Sequence, residues 1–192
     1  GAAGMVTQQE LTYRQLITLR DGARVLLRPL TSDDRQALID LFTPVSPEER
    51  RYMRHDVTNP DLIGGWVDRL DYDRVFPMVA MVGDRMVGDA TLHFQEGPAR
   101  HRAEMRIFLA KDFRRRGLAT RMIQALIDLG KRRSLYCIEV VSPTDRASDI
   151  KAFQNLGFEQ ACVYTDYWML PDGELRDVAH MILRMRSTAD EY

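Results

Sequence analysis

The chain has 192 residues, of which 45% are hydrophobic and 29% are charged, and its formal net charge is -1. This length fits one domain with a sizeable core. The nearly neutral charge excludes a global field that would recruit nucleic acid or an anionic membrane. The two cysteines form no CxxC pair, so neither a disulfide framework nor a metal site is expected.

The beginning of the chain carries the weakest pattern. Residues 1–20 are interpreted as a cloning scar, GAAG, and an extension with a short helix within residues 7–19; residues 21–188 are interpreted as a single domain. No apolar segment approaches the roughly 18 residues that a membrane span needs, and the N-terminus lacks a signal-peptide core. We therefore expect a cytoplasmic protein without a membrane partner.

The first half of the domain predicts one strand and three helices. ARVLLRPL is the strand, and Thr31 caps the helix that follows it. The second helix has Ser46 as its cap, Pro47 at its first position and Glu49 closing a capping box. Residues 61–70 form the third helix.

The period of the hydrophobic pattern then changes from about 3.6 to 2. RVFPMVAMV and RMVGDATLHF predict a hairpin around Gly83, and residues 103–109 predict a further strand. A strong helix covers residues 117–132, SLYCIEVV is a central strand, and a helix ending at Gly157 precedes two strands that flank the turn PDG. This order predicts a mixed α/β sheet of about seven strands covered by helices.

The most informative turn is RRRGLAT, residues 114–120. A helix N-terminus leaves unpaired backbone N–H groups and a partial positive charge, and Gly117 lets a ligand approach the backbone closely. The pattern predicts a seat for a diphosphate, with a solvated basic cap as the alternative. It is neither a Walker loop nor a GxGxxG turn, which argues against a nucleoside triphosphate or NAD. A nucleic-acid patch is disfavoured because no aromatic residues interleave the arginines.

IFLAKDFRRRGLATRMIQAL, SLYCIEVV and AFQNLGF together resemble the acyl-CoA-binding core of the GNAT superfamily of N-acetyltransferases, over roughly residues 23–185. The resemblance implies a sheet splayed between two parallel strands, with acetyl-CoA as cosubstrate in the gap. It implies that the strand backbone of Ile107, Phe108 and Leu109 pairs with the pantetheine arm. The diphosphate would be held by Arg114, Arg115, Arg116, Gly117, Leu118, Ala119 and Thr120.

Acetylation of an amine needs a base, because the reacting nitrogen must lose a proton. Glu104 lies on the strand before the turn, in a setting that we expect to raise its pKa. It also matches the glutamate of "AE" in bacterial protein-lysine acetyltransferases of the GNAT type that act on acyl-CoA synthetases. LRDGARVLLRPL and SPEERRYMR resemble the same domains. The alternative for Glu104 is a glutamate on the surface of a strand. Glu139 is the reserve base, with a salt-bridged strand residue as its alternative. His93 is expected to have a structural role.

One position departs from the family pattern. Many members carry a tyrosine four residues before the glycine of the final "GF", where it protonates the leaving thiolate, and here Phe153 takes that place. Arg146 replaces the usual asparagine. A thiol-like pKa near ~8.5 makes departure without a dedicated acid feasible, and Tyr164 and Tyr167 are substitutes to consider.

The leading hypothesis is therefore an acetyl-CoA-dependent N-acetyltransferase that acts by direct attack of an amine, either a protein lysine or a small amine. Backbone N–H groups near Leu109 would polarise the carbonyl. A non-catalytic acyl-CoA sensor is the alternative. By analogy with the superfamily, a homodimer formed through the strands after Phe158 is one expectation.

Overall fold

The computed structural model describes residues 5–185, so the interpreted scar and the predicted end of the domain at residue 188 lie outside it. Eight strands form one sheet in the order β1-β2-β3-β4-β5-β6-β8-β7. The strands are β1 Gln15–Thr18, β2 Arg24–Pro29, β3 Val75–Val82, β4 Arg85–Phe94, β5 Arg102–Leu109, β6 Cys137–Pro143, β7 Glu159–Met169 and β8 Leu175–Arg184.

Six α-helices accompany the sheet within these residues. They are α1 Gln8–Leu11, α2 Arg35–Phe42, α3 Pro47–Arg50, α4 Pro60–Asp68, α5 Leu118–Arg132 and α6 Ala147–Asn155. All neighbouring strands run antiparallel except β5 and β6, which are parallel. The predicted mixed α/β architecture is thus confirmed, with one strand more than expected.

The extra strand is β1, and it falls where we predicted a leading helix. Of the predicted helix only α1 is present. The residues after it alternate in exposure as those of a strand do, since Leu16 is 58% exposed and Ile17 is 1% exposed. β1 pairs with β2, Ile17 opposite Val25. This partner, rather than the local propensity, decides the conformation.

The second half of the chain follows the sequence pattern closely. β3 and β4 form the predicted hairpin, with Gly83 in the left-handed region at φ 58°. A Cβ atom on Gly88 of β4 would lie 2.8 Å from the Met122 sulfur of α5 and 2.9 Å from a methyl carbon of Leu109. Glycine at this position therefore lets α5 pack directly against the sheet.

The opposite face of the sheet is covered by α2 and α4. Phe108 of β5 alternates with the buried Leu109, and its ring stacks on Phe42 of α2 with centroids 4.6 Å apart. Phe42 meets Trp66 of α4 edge to face at 5.9 Å. Aromatic packing thus holds the helices of the first half over the outer part of β5.

α3 begins as predicted, but its capping box stays open. The Ser46 hydroxyl accepts a hydrogen bond from the Glu49 backbone N–H at 3.2 Å. The Glu49 carboxylate binds the Arg114 guanidinium and so does not return to Ser46. A charge-assisted, two-point contact outweighs a bond to a neutral amide, which explains why the prediction of a complete box was wrong.

A buried ion pair ties the N-terminal helix to the end of α5. Arg133 donates to one Glu10 carboxylate oxygen from Nε at 3.1 Å and from Nη2 at 2.9 Å, and it also donates to the Tyr72 carbonyl. Its guanidinium lies 4.4 Å from the Phe94 ring centroid. The two charged side chains are 2% and 5% exposed, so neither can recover its hydration if the other is lost.

We predict that Glu10→Gln lowers the free energy of unfolding by about 3 kcal/mol, because it leaves the Arg133 charge buried without its counter-ion. Urea denaturation followed by circular dichroism measures this change. Gln9→Ala, at the exposed neighbouring position, serves as control and should stay within about 0.5 kcal/mol of the parent protein. Equal effects of the two variants would contradict the role of the pair.

Candidate active site

The parallel contact between β5 and β6 is short. It comprises three register pairs, Arg102 with Cys137, Ala103 with Ile138 and Glu104 with Glu139. β5 continues to Leu109 along β4, while β6 continues to Pro143 along β8. The two strands therefore separate beyond the glutamate pair, and the sheet carries a gap at that point.

Backbone groups of β5 line this gap. The Ala110 N–H donates to the Val87 carbonyl on the β4 side at 2.9 Å. Because successive residues of a strand direct their N–H groups to opposite sides, the N–H groups of Ile107 and Leu109 point into the gap, beyond the last register pair. An extended ligand laid there can pair with β5 as an added strand would.

The gap leads to a row of backbone N–H groups at the start of α5. Within residues 5–185, the six N–H groups from residue 115 to residue 120 have no acceptor. Arg115 and Gly117 both have positive φ angles, 60° and 86°, and a Cβ atom on Gly117 would meet nothing within 4 Å. The turn is thus an open concavity of donors at the positive end of a helix, a fit for a diphosphate.

The three arginines of the turn differ in what they contact. Besides binding Glu49, Arg114 donates to the Leu109 carbonyl from Nε at 3.2 Å and from Nη2 at 3.0 Å. Arg116 binds Asp21 at 2.5 Å and lies over the Phe113 ring at 4.3 Å. Of the three, only Arg115 has an exposed side chain that contacts no acidic group among the described residues.

Glu104 sits between two guanidinium groups. Arg54 Nη2 donates to its Oε1 at 2.8 Å, and Arg106 donates to the same oxygen from Nε at 3.3 Å. Burial alone would raise the pKa of Glu104, but the hydrogen bond and charge of Arg106, with those of Arg54, outweigh burial and lower it. Our expectation of a raised pKa was therefore wrong, because the sequence did not reveal these two partners.

Glu139 heads a chain of polar contacts on the other side of the gap. Its carboxylate accepts from Arg102 Nη1 at 3.2 Å and lies 3.5 Å from His180 Nε2. The second ring nitrogen of His180 is 3.2 Å from the Tyr164 hydroxyl. Tyr164 in turn stacks on Tyr167, with centroids 4.6 Å apart.

Phe153 is buried and His93 is half-buried. Phe153 is 7% exposed and packs edge to face on Phe158 with centroids 5.2 Å apart, so it is part of the core. His93 Nε2 lies 2.8 Å from the Thr91 hydroxyl, and burial, reinforced by the charge of Arg106, lowers its pKa to about 4. His93 is accordingly neutral at physiological pH, in line with the structural role expected for it.

The segment 46–54, which we call the bridging segment, connects the two halves of the split sheet. On the β5 side it contributes Glu49 to Arg114 and Arg54 to Glu104. On the other side its Arg51 binds Asp172 at 2.7 Å and Glu174 at 3.0 Å, both in the turn between β7 and β8. The segment therefore spans the gap on the side of Glu104.

The described part of the chain shows neither a metal-binding cluster nor a membrane-spanning helix. Among residues 5–185 no group of three His, Cys, Asp or Glu side chains is placed to hold a metal ion. Nor does any helix there combine the length and the apolarity required to cross a bilayer.

Comparison with known proteins gives one family. The model described as Acetyltransferase (GNAT) family matches residues 35–158. None of the curated proteins matches the chain in sequence.

Solved structures share the fold at low identity. The GNAT domain of S. lividans PAT has a TM-score of 0.72 at 19% identity and covers 90% of this chain and 97% of that one. A ribosomal-protein-S5-alanine acetyltransferase from Vibrio fischeri has a TM-score of 0.70 at 16% identity, covering 83% and 92%. Mycobacterium smegmatis RimJ in complex with CoA-disulfide has a TM-score of 0.70 at 18% identity, covering 92% and 90%.

One acidic residue near the site is isolated. Asp89 of β4 is the register partner of Phe108 and so lies under the same helices. Although the residue as a whole is only half-buried, its Oδ1 atom is shielded from solvent and has no hydrogen-bond partner. Burial raises its pKa to about 7.

We predict that Asp89→Asn stabilises the protein at pH 8. Since the folded-state pKa lies above the unfolded value of ~3.9, the folded state binds the proton more tightly, and stability falls as pH rises from about 4 through 7. Asparagine cannot ionise, so the variant should gain on the order of 2–4 kcal/mol over the parent at pH 8 and much less at pH 4. Urea denaturation at both pH values measures this, with Asp84→Asn in the exposed hairpin turn as control. A gain that does not change with pH would contradict a buried, protonated carboxyl group.

Proposed function

Since the chain belongs to the Acetyltransferase (GNAT) family and is therefore an N-acetyltransferase, we propose that it moves an acetyl group from acetyl-CoA to an amine by direct attack, with Glu104 as the base. The observation that carries this proposal is the continuity of the site. The gap, the row of N–H groups and Glu104 all lie along β5 and the turn that follows it.

The residues present suit the cosubstrate. The N–H groups of residues 115–120 would hold the diphosphate, and those of Ile107 and Leu109 would bind the pantetheine arm or polarise the acyl oxygen. When bound, acetyl-CoA would supply a thioester: the amine nitrogen bonds to its acyl carbon, the C–S bond breaks, and coenzyme A leaves as the thiolate, which then takes a proton from water. Arg114 supports this seat indirectly by fixing the end of β5.

Glu104 would take the proton from the amine nitrogen, directly or through one water. Its lowered pKa keeps the carboxylate ionised at neutral pH, so it is ready to accept a proton, but it is a weaker base than expected from the sequence. An acceptor whose nitrogen is already partly neutral would suit such a base. Glu139 is the neighbouring carboxylate in the register and remains the reserve candidate.

The departing thiolate needs no tyrosine at position 153. With a thiol-like pKa near ~8.5, a thiolate is a tolerable leaving group at neutral pH. If a side chain supplies a proton, Tyr164 is a candidate. Its hydroxyl lies 3.2 Å from His180 Nδ1, and His180 Nε2 lies 3.5 Å from the Glu139 carboxylate.

The acceptor is a protein lysine or a small amine in this proposal. The location is the cytoplasm, with neither nucleic acid nor membrane as a partner. A homodimer through the outer strand is supported by the apolar side chains that β7 exposes, with Tyr167 58% and Met169 71% exposed.

A sensor that binds acyl-CoA without turnover is the second candidate. It is favoured by the position of Glu104, whose carboxylate is engaged by two arginines, and by the burial of Phe153. Thiol release measured with a broad amine panel beside calorimetric coenzyme A binding separates the two functions. Binding without turnover would favour the sensor.

We predict that Glu104→Gln lowers kcat by about 100- to 1,000-fold, since an amide accepts no proton at neutral pH. Acetyl-CoA affinity should stay within about twofold, because the diphosphate seat lies on a different element. Thiol release gives the rate and calorimetry gives the affinity. Glu159→Gln on the exposed face of β7 is the matched control. Unchanged turnover in Glu104→Gln would remove this residue from the mechanism. Glu139 would then be the candidate base, and Glu139→Gln would test it.

We predict that Arg115→Gln weakens coenzyme A binding about three- to tenfold, because Arg115 is the arginine of the turn whose charge is not engaged by an acidic group in the described chain. Calorimetric titration measures the affinity. Arg100→Gln, an exposed arginine in the turn between β4 and β5, should bind normally. If Arg115→Gln binds as tightly as Arg100→Gln, the charge of Arg115 does not contribute to holding the diphosphate.

A further inference from the structure

The charges around Glu104 do not balance. Two guanidinium groups, Arg54 and Arg106, share one carboxylate, and both reach the same oxygen. Among residues 5–185, neither arginine lies within ion-pair distance of a second acidic group. The neighbouring His93 adds no negative charge, and the two arginines help to lower its pKa. The pocket at the base is therefore net positive at rest.

Both arginines have N–H donors that do not bond to Glu104. Arg54 uses only Nη2 and Arg106 uses Nε and Nη2 toward Glu104, although each guanidinium carries five N–H donors. Their side chains are 44% and 39% exposed, against 20% for Glu104. The unused donors are therefore accessible from solvent beside Glu104.

The imbalance grows during the reaction. When Glu104 accepts the proton of the amine it becomes neutral, and both guanidinium groups lose their counter-ion. An acceptor that brings a negative charge would replace it, whereas a second positive charge beside the amine would be repelled. A planar guanidinium matches a carboxylate in geometry as well as charge.

We propose that the acceptor is an amine that carries a carboxylate close in space to the reacting nitrogen, and that Arg54 and Arg106 bind this carboxylate. The proposal rests on the function proposed above, with Glu104 at the reacting nitrogen, and narrows its acceptor class. Free amino acids, peptide N-termini followed by an acidic residue, and lysines flanked by acidic residues all offer this chemistry.

Matched acceptors test the proposal. The dipeptide amides Ala–Asp and Ala–Asn present nearly the same amine with and without the carboxylate, and kcat/KM is measured for each by thiol release. We expect kcat/KM for Ala–Asp to be at least tenfold higher than for Ala–Asn. The dipeptide amide Ala–Lys should have the lowest kcat/KM of the series. Paired N-blocked lysine peptides with a flanking Asp or Asn, and a free amino acid beside its amide, identify which source is used best.

Variants locate the effect. Arg54→Gln and Arg106→Gln should each lower the Asp-to-Asn ratio toward one, while Arg100→Gln keeps it. The ratio is internal to each variant, so a general loss of turnover through the altered Glu104 cancels. The ratio in the parent protein alone remains decisive if a variant fails to fold.

Two results would overturn the inference, and they differ from failure of the proposed function. Equal kcat/KM for the paired acceptors in the parent protein, or a ratio that both variants leave intact, excludes carboxylate binding by these arginines. Absence of acetyl transfer to every amine instead contradicts the proposed function itself.

Discussion

The arrangement of the candidate site depends on the short parallel pairing between β5 and β6. Three register pairs hold the parallel strands together, and the last of them brings Glu104 beside Glu139. Past this point each strand pairs with another strand on one side only, β5 with β4 and β6 with β8. A row of unsatisfied backbone groups inside a sheet is costly unless a ligand or water completes it, so the split is itself the basis of a binding site.

Charged contacts over long distances in sequence hold the rim of this split in place. Arg114 is the central example, because it joins the Glu49 carboxylate of α3 to the last carbonyl of β5. Arg114, which the sequence suggests as a ligand contact, thus shapes the backbone that would receive the ligand. Arg114 and Arg116 of the turn thus support the fold, and the free N–H groups remain the basis of the proposed diphosphate seat.

The sequence predicted what depends on local patterns. The hairpin at Gly83, the helix after Gly117 and the turn before β8 each carry their own turn residues and periodicity, and the structure has them at those positions. The sequence could not predict the arginine contacts of Glu104, because Arg54 is 50 residues away and no periodic pattern links the two positions. For the same reason β1 was missed, since only its pairing with β2 makes it a strand. The assignment of Arg114–Thr120 to a diphosphate stays a prediction.

Gly88 of β4 contacts α5 on the face of the sheet opposite α2 and α4. Because its missing side chain admits the Met122 sulfur, the separation between α5 and β4 is fixed by a single absent methyl group. Met122 lies near the start of α5, so this contact helps to set how closely the first turn of the helix, with its free N–H groups, approaches the sheet. A substitution at Gly88 would therefore shift the proposed diphosphate seat from the opposite side of α5, without changing any residue of the seat itself.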